Sequence, residues 1–186
     1  SDKDITSLTS KTYTYGYVEN APYEIKSNDK IKGINAEILS NFSKITGIDI
    51  KYVKYNTVDE LKKAINDKKV DIFFNYYNIS SSEYRQIDNN FITEYVILSP
   101  DDSNEVVNSI ESLKGKDVYF VKDRDIYNDF KGVQSNFHFV NNVTDIVKEA
   151  KNKFIVVDKE EYNYYKNTVF RNHSMIYQDY LVKDRT

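Results

Sequence analysis

Short strand-like segments alternate with segments of helical period through the first part of this chain. The predicted order is strand, helix, strand, helix and strand, over residues 13–18, 34–47, 48–55, 57–65 and 70–74. Gly47 is typical of a helix C-cap, and Thr57 opens a capping-box pattern. The last strand is a continuous apolar run, as expected of a buried parallel strand. This alternation predicts an α/β layer with parallel strands.

The second half of the chain shows the same alternation of strands and helices after a polar break at 100–104. Before this break, a short helical piece is predicted over 83–87 and a strand over 91–98. After it, strands are predicted over 117–121, 137–140, 154–157 and 175–182. Helices are predicted over 109–113, 125–130, 142–150 and 159–166. We therefore divide the chain into a leader or linker (1–11), a first lobe (12–99) and a second lobe (100–186).

Two α/β lobes of this size are expected to enclose a cleft. Ligands of open α/β sheets bind outside the carboxyl ends of the strands. The loops after Val18, Phe74, Val121 and Val157 are therefore expected to line the cleft.

Composition narrows the range of functions. The chain has 186 residues with a net charge of −3, and its charges are interspersed without the basic stripe that nucleic-acid binding requires. It lacks an apolar run of membrane-spanning length and a signal peptide, and it has no Cys for disulfides or thiolate chemistry. The 17 Tyr residues suit the wall of a polar cleft, although an AT-rich genome would produce the same enrichment.

The sequence offers no pattern for catalysis or for metal binding. His138 and His173 are the only histidines, and neither has a companion at metal-ligand spacing. Phosphate-binding, dinucleotide-binding and nucleophile-elbow motifs are missing. We therefore expect a protein that is not an enzyme and that has no cofactor and no metal.

Several degenerate motifs occur in the order found in a known family. They are GYVENAPY at 16–23, KGINAEIL at 32–39, KVDI at 69–72, SEYR at 82–85, SLKGK at 112–116 and FIVVD at 154–158. Together they resemble the type 2 periplasmic solute-binding proteins, in the branch of the polar amino acid receptors. The resemblance spans roughly residues 12–185. It implies a two-lobed fold with mainly parallel sheets flanked by helices.

The resemblance also implies roles for three residues. Arg85 would hold a ligand carboxylate through paired hydrogen bonds, although a solvated helix Arg would fit the same sequence. Asp158 would bind a ligand ammonium group, or would serve as the N-cap of the next helix. Tyr23 would stack on the ligand, or would anchor a surface loop.

Two further loops supply candidate contacts. The loop after the 70–74 strand carries short polar groups and an aromatic ring, and the second-lobe loop carries charges. The candidates are Asn75, Tyr76, Ser80, Ser82, Asp123 and Arg124.

The chain departs from the family pattern in three places. It is longer than the pattern between Asp71 and Arg85, so we expect the loop that carries the ligand contacts to be reshaped. Bulky charges at 122–125 replace the Gly and small hydroxyl residues that meet a ligand carboxylate in the family, which counts against amino acid binding. The family continues beyond the equivalent of 183–186 with helices that return to the first lobe. We therefore expect the C-terminal closing helices to be missing here.

Three functions are compatible with these observations. The first is an extracellular sensor domain of a membrane-anchored bacterial signalling receptor, because the opening and the ending of the chain look like solute-binding domains fused to kinases and cyclic-dinucleotide enzymes. The second is the receptor of an ABC amino acid importer. The third is a protein-interaction module with a degenerate pocket. All three functions place the protein at the cell surface. We interpret the source as a Gram-positive bacterium. The sequence does not distinguish among possible ligands, or among a domain that acts alone, in tandem with a second copy or as a dimer.

Overall fold

The computed structural model describes residues 11–77, 79–85, 93–151 and 153–181. The chain forms two compact units, Ser1–Asn75 and Tyr76–Thr186. Apart from Lys11, the predicted leader lies outside the described residues. Residues 86–87 of the predicted 83–87 helical piece and residues 91–92 of the predicted 91–98 strand also lie outside them.

The first unit contains four strands and two helices among its described residues. They are β1 (Thr12–Val18), β2 (Ile25–Ser27), β3 (Lys30–Lys32), α1 (Ile34–Thr46), β4 (Asp49–Tyr55) and α2 (Val58–Asn66). β1 and β4 pair in parallel, as the strand–helix–strand pattern predicts, whereas β2 and β3 form a short antiparallel hairpin. The carboxyl ends of β1 and β4 therefore lie at the same edge of the sheet.

Local capping sets the ends of both helices. Gly47 adopts the left-handed conformation with a φ of 73°, and its N–H donates to the Ser43 carbonyl at 2.8 Å. The Thr57 hydroxyl accepts a hydrogen bond from the Glu60 N–H at 3.1 Å at the start of α2. Both caps agree with the sequence prediction.

The apolar run at 70–74 differs from the prediction, because it forms a single parallel bridge from Ile72 to Tyr15 and not a full strand. The Asp71 carboxylate accepts a hydrogen bond from the Thr14 N–H at 2.8 Å. A side chain thus takes a backbone donor that a longer ladder would use. The run still contributes Ile72 and Phe74 to the core of the unit around Tyr15 and Tyr17.

The second unit contains five strands, two helices and two 3₁₀ turns among its described residues. They are β5 (Glu94–Pro100), a 3₁₀ turn (Ile110–Leu113), β6 (Asp117–Val121), a 3₁₀ turn (Asp125–Asp129), β7 (Asn136–Val140), α3 (Val143–Ala150), β8 (Phe154–Asp158), α4 (Lys159–Tyr165) and β9 (His173–Tyr180).

These strands form one sheet in the order β7-β6-β8-β5-β9. β6 runs parallel to β7 and β8, and β5 runs antiparallel to β8 and β9. The sheet is therefore mixed, where mainly parallel strands were expected. β5, which the sequence analysis assigned to the first lobe, lies inside this sheet, and the division of the chain falls between Asn75 and Tyr76.

Alternation along β5 supplies two cores, one on each face of the sheet. Tyr95 and Ile97 belong to one buried cluster with Phe120 and Phe130. Val96 and Leu98 belong to the other cluster, whose further members include Val121, Val140, Ile146, Ile155 and Phe170. A register shift between β5 and β9 follows Ile97, so that one residue of β9, Ile176, is left without a partner in the ladder.

Candidate functional site

The first unit buries a polar network beneath the loop that follows β1. Glu24 is 1% exposed and Asn35 is 3% exposed. The Tyr15 hydroxyl donates to Glu24 Oε1, and Asn35 Nδ2 donates to the same oxygen at 3.3 Å. Because a buried carboxylate is costly without such donors, this network fixes the loop against β1 and α1.

Aromatic rings surround this network. The Tyr15 ring is stacked with Tyr17 at a centroid distance of 6.1 Å and makes edge contacts with Tyr52 and Phe74 at 6.1 and 6.0 Å. Burial raises the pKa of the Tyr17 hydroxyl above its ordinary value, and the charges of Glu19 and Glu24 raise it further. The Tyr17 hydroxyl is therefore a neutral hydrogen-bonding group at physiological pH.

Tyr23 lies on the same loop and is partly buried. Its N–H donates to the Asn20 carbonyl at 2.8 Å, and its own carbonyl accepts from the Asn35 N–H at 3.0 Å. The backbone of Tyr23 is thus held in place from both sides. This anchoring agrees with one of the two roles considered for it, and a ligand contact by its ring stays a prediction.

In the second unit, the parallel strands β6 and β8 end at the same edge of the sheet, at Val121 and Asp158. The loop after β6 therefore lies beside the start of α4. This edge is where ligands of α/β sheets bind, and it carries the candidates Asp123, Arg124 and Asp158.

Asp158 is the N-cap of α4. Its Oδ1 accepts a hydrogen bond from the Glu161 N–H at 2.7 Å, while Glu161 Oε1 accepts from the Asp158 N–H at 3.3 Å. The pair forms a complete capping box. The capping role considered in the sequence analysis is confirmed, and the ligand role stays a prediction.

Arg124 is partly buried and lies over an aromatic ring. Its Cζ atom is 5.6 Å from the centroid of the Tyr77 ring, within the range of a cation–π contact. Tyr76 and Tyr77 are themselves in edge contact at 5.5 Å. The Tyr76 carbonyl accepts a hydrogen bond from the Asp125 N–H at 2.9 Å, which ties the 76–77 segment to the loop after β6.

Electrostatics favour the charged form of this Arg. Burial alone would lower the pKa of Arg124, but Glu161 raises it most, followed by Tyr77, Asp158 and Tyr76. The pKa of Arg124 consequently lies above its ordinary value. The guanidinium is therefore a permanent cation within a largely anionic and aromatic environment.

The remaining candidates lie at the surface of their units. Asp123 adopts a left-handed conformation with a φ of 59° and is exposed. The exposed candidates are Asn75, Ser80, Ser82, Arg85 and Asp123. Asn75 is the last residue of the first unit, and Arg85 directly precedes residues outside the described part of the chain.

The structure thus brings Tyr76, Arg124 and Asp158 together in the second unit. Tyr23 and Asn75 belong to the first unit. Tyr77 and Glu161 were not among the predicted site residues. Glu161 could have been found, because Asp158 and a Glu three residues later form a capping-box signature; Tyr77 carries no local signal.

Neither a metal-binding cluster nor a membrane-spanning helix occurs among the described residues. Among residues 11–77, 79–85, 93–151 and 153–181, no group of three or more His, Cys, Asp or Glu side chains is arranged to hold a metal ion. Within the same ranges, no helix is long and apolar enough to cross a membrane.

The fold is that of the two-lobed type 2 periplasmic binding proteins. The chain belongs to the bacterial extracellular solute-binding proteins, family 3, whose family model matches residues 13–172. This is a family of solute-binding proteins and not of enzymes. No curated protein matches the sequence significantly.

Solved structures are similar in fold at low sequence identity. A mutant of ArgBP from T. maritima is 18% identical with a TM-score of 0.70, covering 95% of this chain and 82% of that protein. The GluR0 ligand-binding core in complex with L-glutamate is 17% identical with a TM-score of 0.69, covering 91% and 82%. The BvgS VFT2 domain of Bordetella pertussis is 15% identical with a TM-score of 0.72, covering 97% and 78%.

Proposed function

We propose that this chain is the extracellular sensor domain of a membrane-anchored bacterial signalling receptor, and that it binds an amino-acid-like solute or a small carboxylate. The observation that carries the proposal is its membership of a solute-binding family over residues 13–172, together with the polar groups at the carboxyl ends of β6 and β8. Arginine and L-glutamate are the ligands named for two solved structures of similar fold, which supports this solute class.

Arg85 is the proposed anchor for a ligand carboxylate. Its side chain is exposed, so it is accessible to a solute, and a guanidinium matches a carboxylate with two parallel hydrogen bonds. Tyr23 and Asn75 are proposed ligand contacts in the first unit. The proposed contacts in the second unit, which also contains Arg85, are Tyr76, Ser80, Ser82, Asp123, Arg124 and Asp158.

The signalling role is the finer part of the proposal. Its support is the likeness of the opening GYVENAP and the ending LVKDR to solute-binding domains fused to signalling enzymes. A solute that binds one conformation of the protein more tightly than another would shift the population between them, which is the physical basis of sensing. Membrane attachment, location at the cell surface of a Gram-positive bacterium and a tandem or dimeric arrangement belong to this proposal.

A thermal-shift screen tests the proposed solute class. The panel contains amino acids, small carboxylates, polyamines and sugars. A solute present at about one hundred times its Kd stabilises the native state by about 2.7 kcal/mol, which is a readily measured shift in Tm. A shift with amino acids or carboxylates supports the proposal. A folded protein that responds to nothing in the panel would instead favour the protein-interaction module.

The variant Arg85→Ala tests the anchor. We expect it to lose binding of the solute found in the screen, because a charge-assisted hydrogen bond contributes about 1.5–3 kcal/mol and Arg85 can make two. Its own Tm should be unchanged, since the side chain is exposed. Arg171→Ala is the matched control, because Arg171 is also exposed and lies outside the proposed set. Unchanged affinity in Arg85→Ala would remove the carboxylate anchor.

A further inference from the structure

We propose that the second unit contains a cation-binding site built from Tyr77, Glu161 and Asp158, and that Arg124 fills this site with its own guanidinium. The protein would then carry an intramolecular occupant where an external alkylguanidinium or ammonium group could otherwise bind. This inference does not depend on the proposed sensor function.

The aromatic wall of the site is Tyr77. The guanidinium carbon of Arg124 lies 5.6 Å from the centroid of that ring, at a distance suited to attraction by the ring face. The ring is held near Arg124 by the backbone, because the Asp125 N–H donates to the Tyr76 carbonyl at 2.9 Å. The aromatic wall is therefore positioned by contacts that do not involve the Arg124 side chain.

The anionic wall of the site is the capping box at the start of α4. Glu161 is only 4% exposed, and one of its oxygens, Oε1, accepts from the Asp158 N–H. Its other oxygen, Oε2, is buried and accepts no hydrogen bond from any of the described residues. A buried carboxylate in this state requires a nearby positive charge, and Glu161 is the charged group that acts most strongly on Arg124.

The walls would persist without the occupant. Glu161 and Asp158 hold each other through the capping box, and their positions follow from β8 and α4. Their two carboxylates outweigh the single positive charge of Arg124. Removal of the Arg124 side chain should therefore leave a vacant site that attracts a planar cation. A guanidinium that served only as a structural tether would leave a space that closes or admits water without selectivity.

Chemical rescue of Arg124→Ala tests this site. Ethylguanidinium chloride is titrated into the variant by calorimetry and by thermal shift, with N-ethylurea as the neutral compound of the same shape and NaCl as the ionic control. We expect saturable binding of ethylguanidinium that is roughly tenfold or more tighter than in the wild type, corresponding to one charge-assisted hydrogen bond. N-ethylurea should give no such binding.

Two further variants locate the effect. The double variant Arg124→Ala/Glu161→Gln should lose the rescue, because it removes the charge of the buried carboxylate. The matched control Arg171→Ala should behave as the wild type, since Arg171 is exposed and donates only to the Thr168 carbonyl among the described residues. A folded Arg124→Ala that shows no saturable binding would overturn the proposal, as would equal binding by the wild type or by N-ethylurea.

A measurement on the wild type decides the case in which Arg124→Ala does not fold. The Nε–H of Arg124 should exchange with water at least about tenfold more slowly than the Nε–H of Arg171, because buried groups exchange only through local opening. Equal exchange rates of these two groups by NMR would overturn the proposal.

Discussion

Gly33 connects the β2–β3 hairpin to α1 with a φ of 113°, a backbone conformation that residues with a side chain rarely adopt. A Cβ at this position would lie 2.4 Å from the Pro22 carbonyl oxygen and 2.7 Å from that of Tyr23. These two carbonyls accept the N–H groups of Ile34 and Asn35 at the start of α1. The clash therefore cannot be relieved without giving up those hydrogen bonds.

We expect Gly33→Ala to lower the free energy of unfolding by about 1–3 kcal/mol, through both the φ strain and the backbone clash. Urea denaturation measures the change. Gly132→Ala is the matched control, because Gly132 lacks a positive φ and a Cβ there would meet nothing within 4 Å. Equal stability of the two variants would contradict this account of Gly33.

His173 makes stability depend on pH. Burial lowers the pKa of His173 below its ordinary value, against the opposing charges of Asp101 and Asp102. Its Nδ1 is buried and has no hydrogen-bond partner among the described residues. The unfolded chain therefore takes up a proton at a higher pH than the folded chain.

The stability contributed by neutral His173 should be fully present above the unfolded pKa of about 6.5 and should decline as pH falls from there through the lower folded pKa. Denaturation midpoints measured at a series of pH values would show this slope. His173→Gln should flatten it. An unchanged slope in His173→Gln would show that another group is responsible.

At the scale of elements, the start of α4 separates two roles of Asp158. Asp158→Ala removes the side chain that caps Glu161 N–H, so we expect a loss of about 1 kcal/mol in the free energy of unfolding. Asp158→Asn keeps a capping oxygen and should remain close to the wild type in stability. Thermal or urea unfolding of both variants checks the difference.

The same pair of variants then tests the proposed ligand role. A stable Asp158→Asn that loses solute binding would show that the charge contacts the solute, since the cap is retained. If Asp158→Asn is destabilised as much as Asp158→Ala, the capping account is incorrect.

Helix ends were predictable from sequence because their hydrogen bonds are local. Thr57 and Gly47 cap helices as predicted, and Asn142 caps the helix predicted over 142–150, each through a partner within four residues. The run at 70–74 was not predictable in the same way. Its pairing depends on Thr14, far away along the chain, and on the side chain of Asp71. Neither the distant pairing partner nor the side-chain hydrogen bond can be predicted from hydrophobic periodicity.

At the scale of the whole molecule, the α/β class and the family followed from the order of the motifs, whereas the division between the units did not. β5 is an apolar strand that could extend either sheet, and only its pairing with β8 and β9 assigns it. The candidate site, likewise, could be predicted only in part from the sequence. Arg124 and Asp158 were predicted from their places after apolar strands, but the contact of Arg124 with Tyr77 depends on the tertiary fold.

The two units should differ in local stability. β5 is sandwiched between two buried clusters, and Val96, Ile97 and Leu98 are fully buried. The β1–β4 pair of the first unit has one smaller cluster and many partly exposed positions on β4. We expect amide hydrogen exchange to be slowest in β5, β6 and β8 and at least about tenfold faster in β4, because exchange follows local opening.

Mass-spectrometric exchange on the intact chain measures this order. The short β2–β3 hairpin provides an internal reference, because its amides should exchange faster than those of all three central strands of the second unit. Protection in β4 equal to that in β5 would contradict the difference in local stability.

The register shift that leaves Ile176 without a ladder partner bears on self-association. β9 lies at the margin of the five-stranded sheet, and a long regular strand in that position would offer a template to other molecules. The irregularity bends the strand and interrupts the spacing of its outward N–H and C=O groups. The acidic side chain of Asp179 adds charge near one end of the same strand. The domain should therefore resist aggregation through this margin even at high protein concentration.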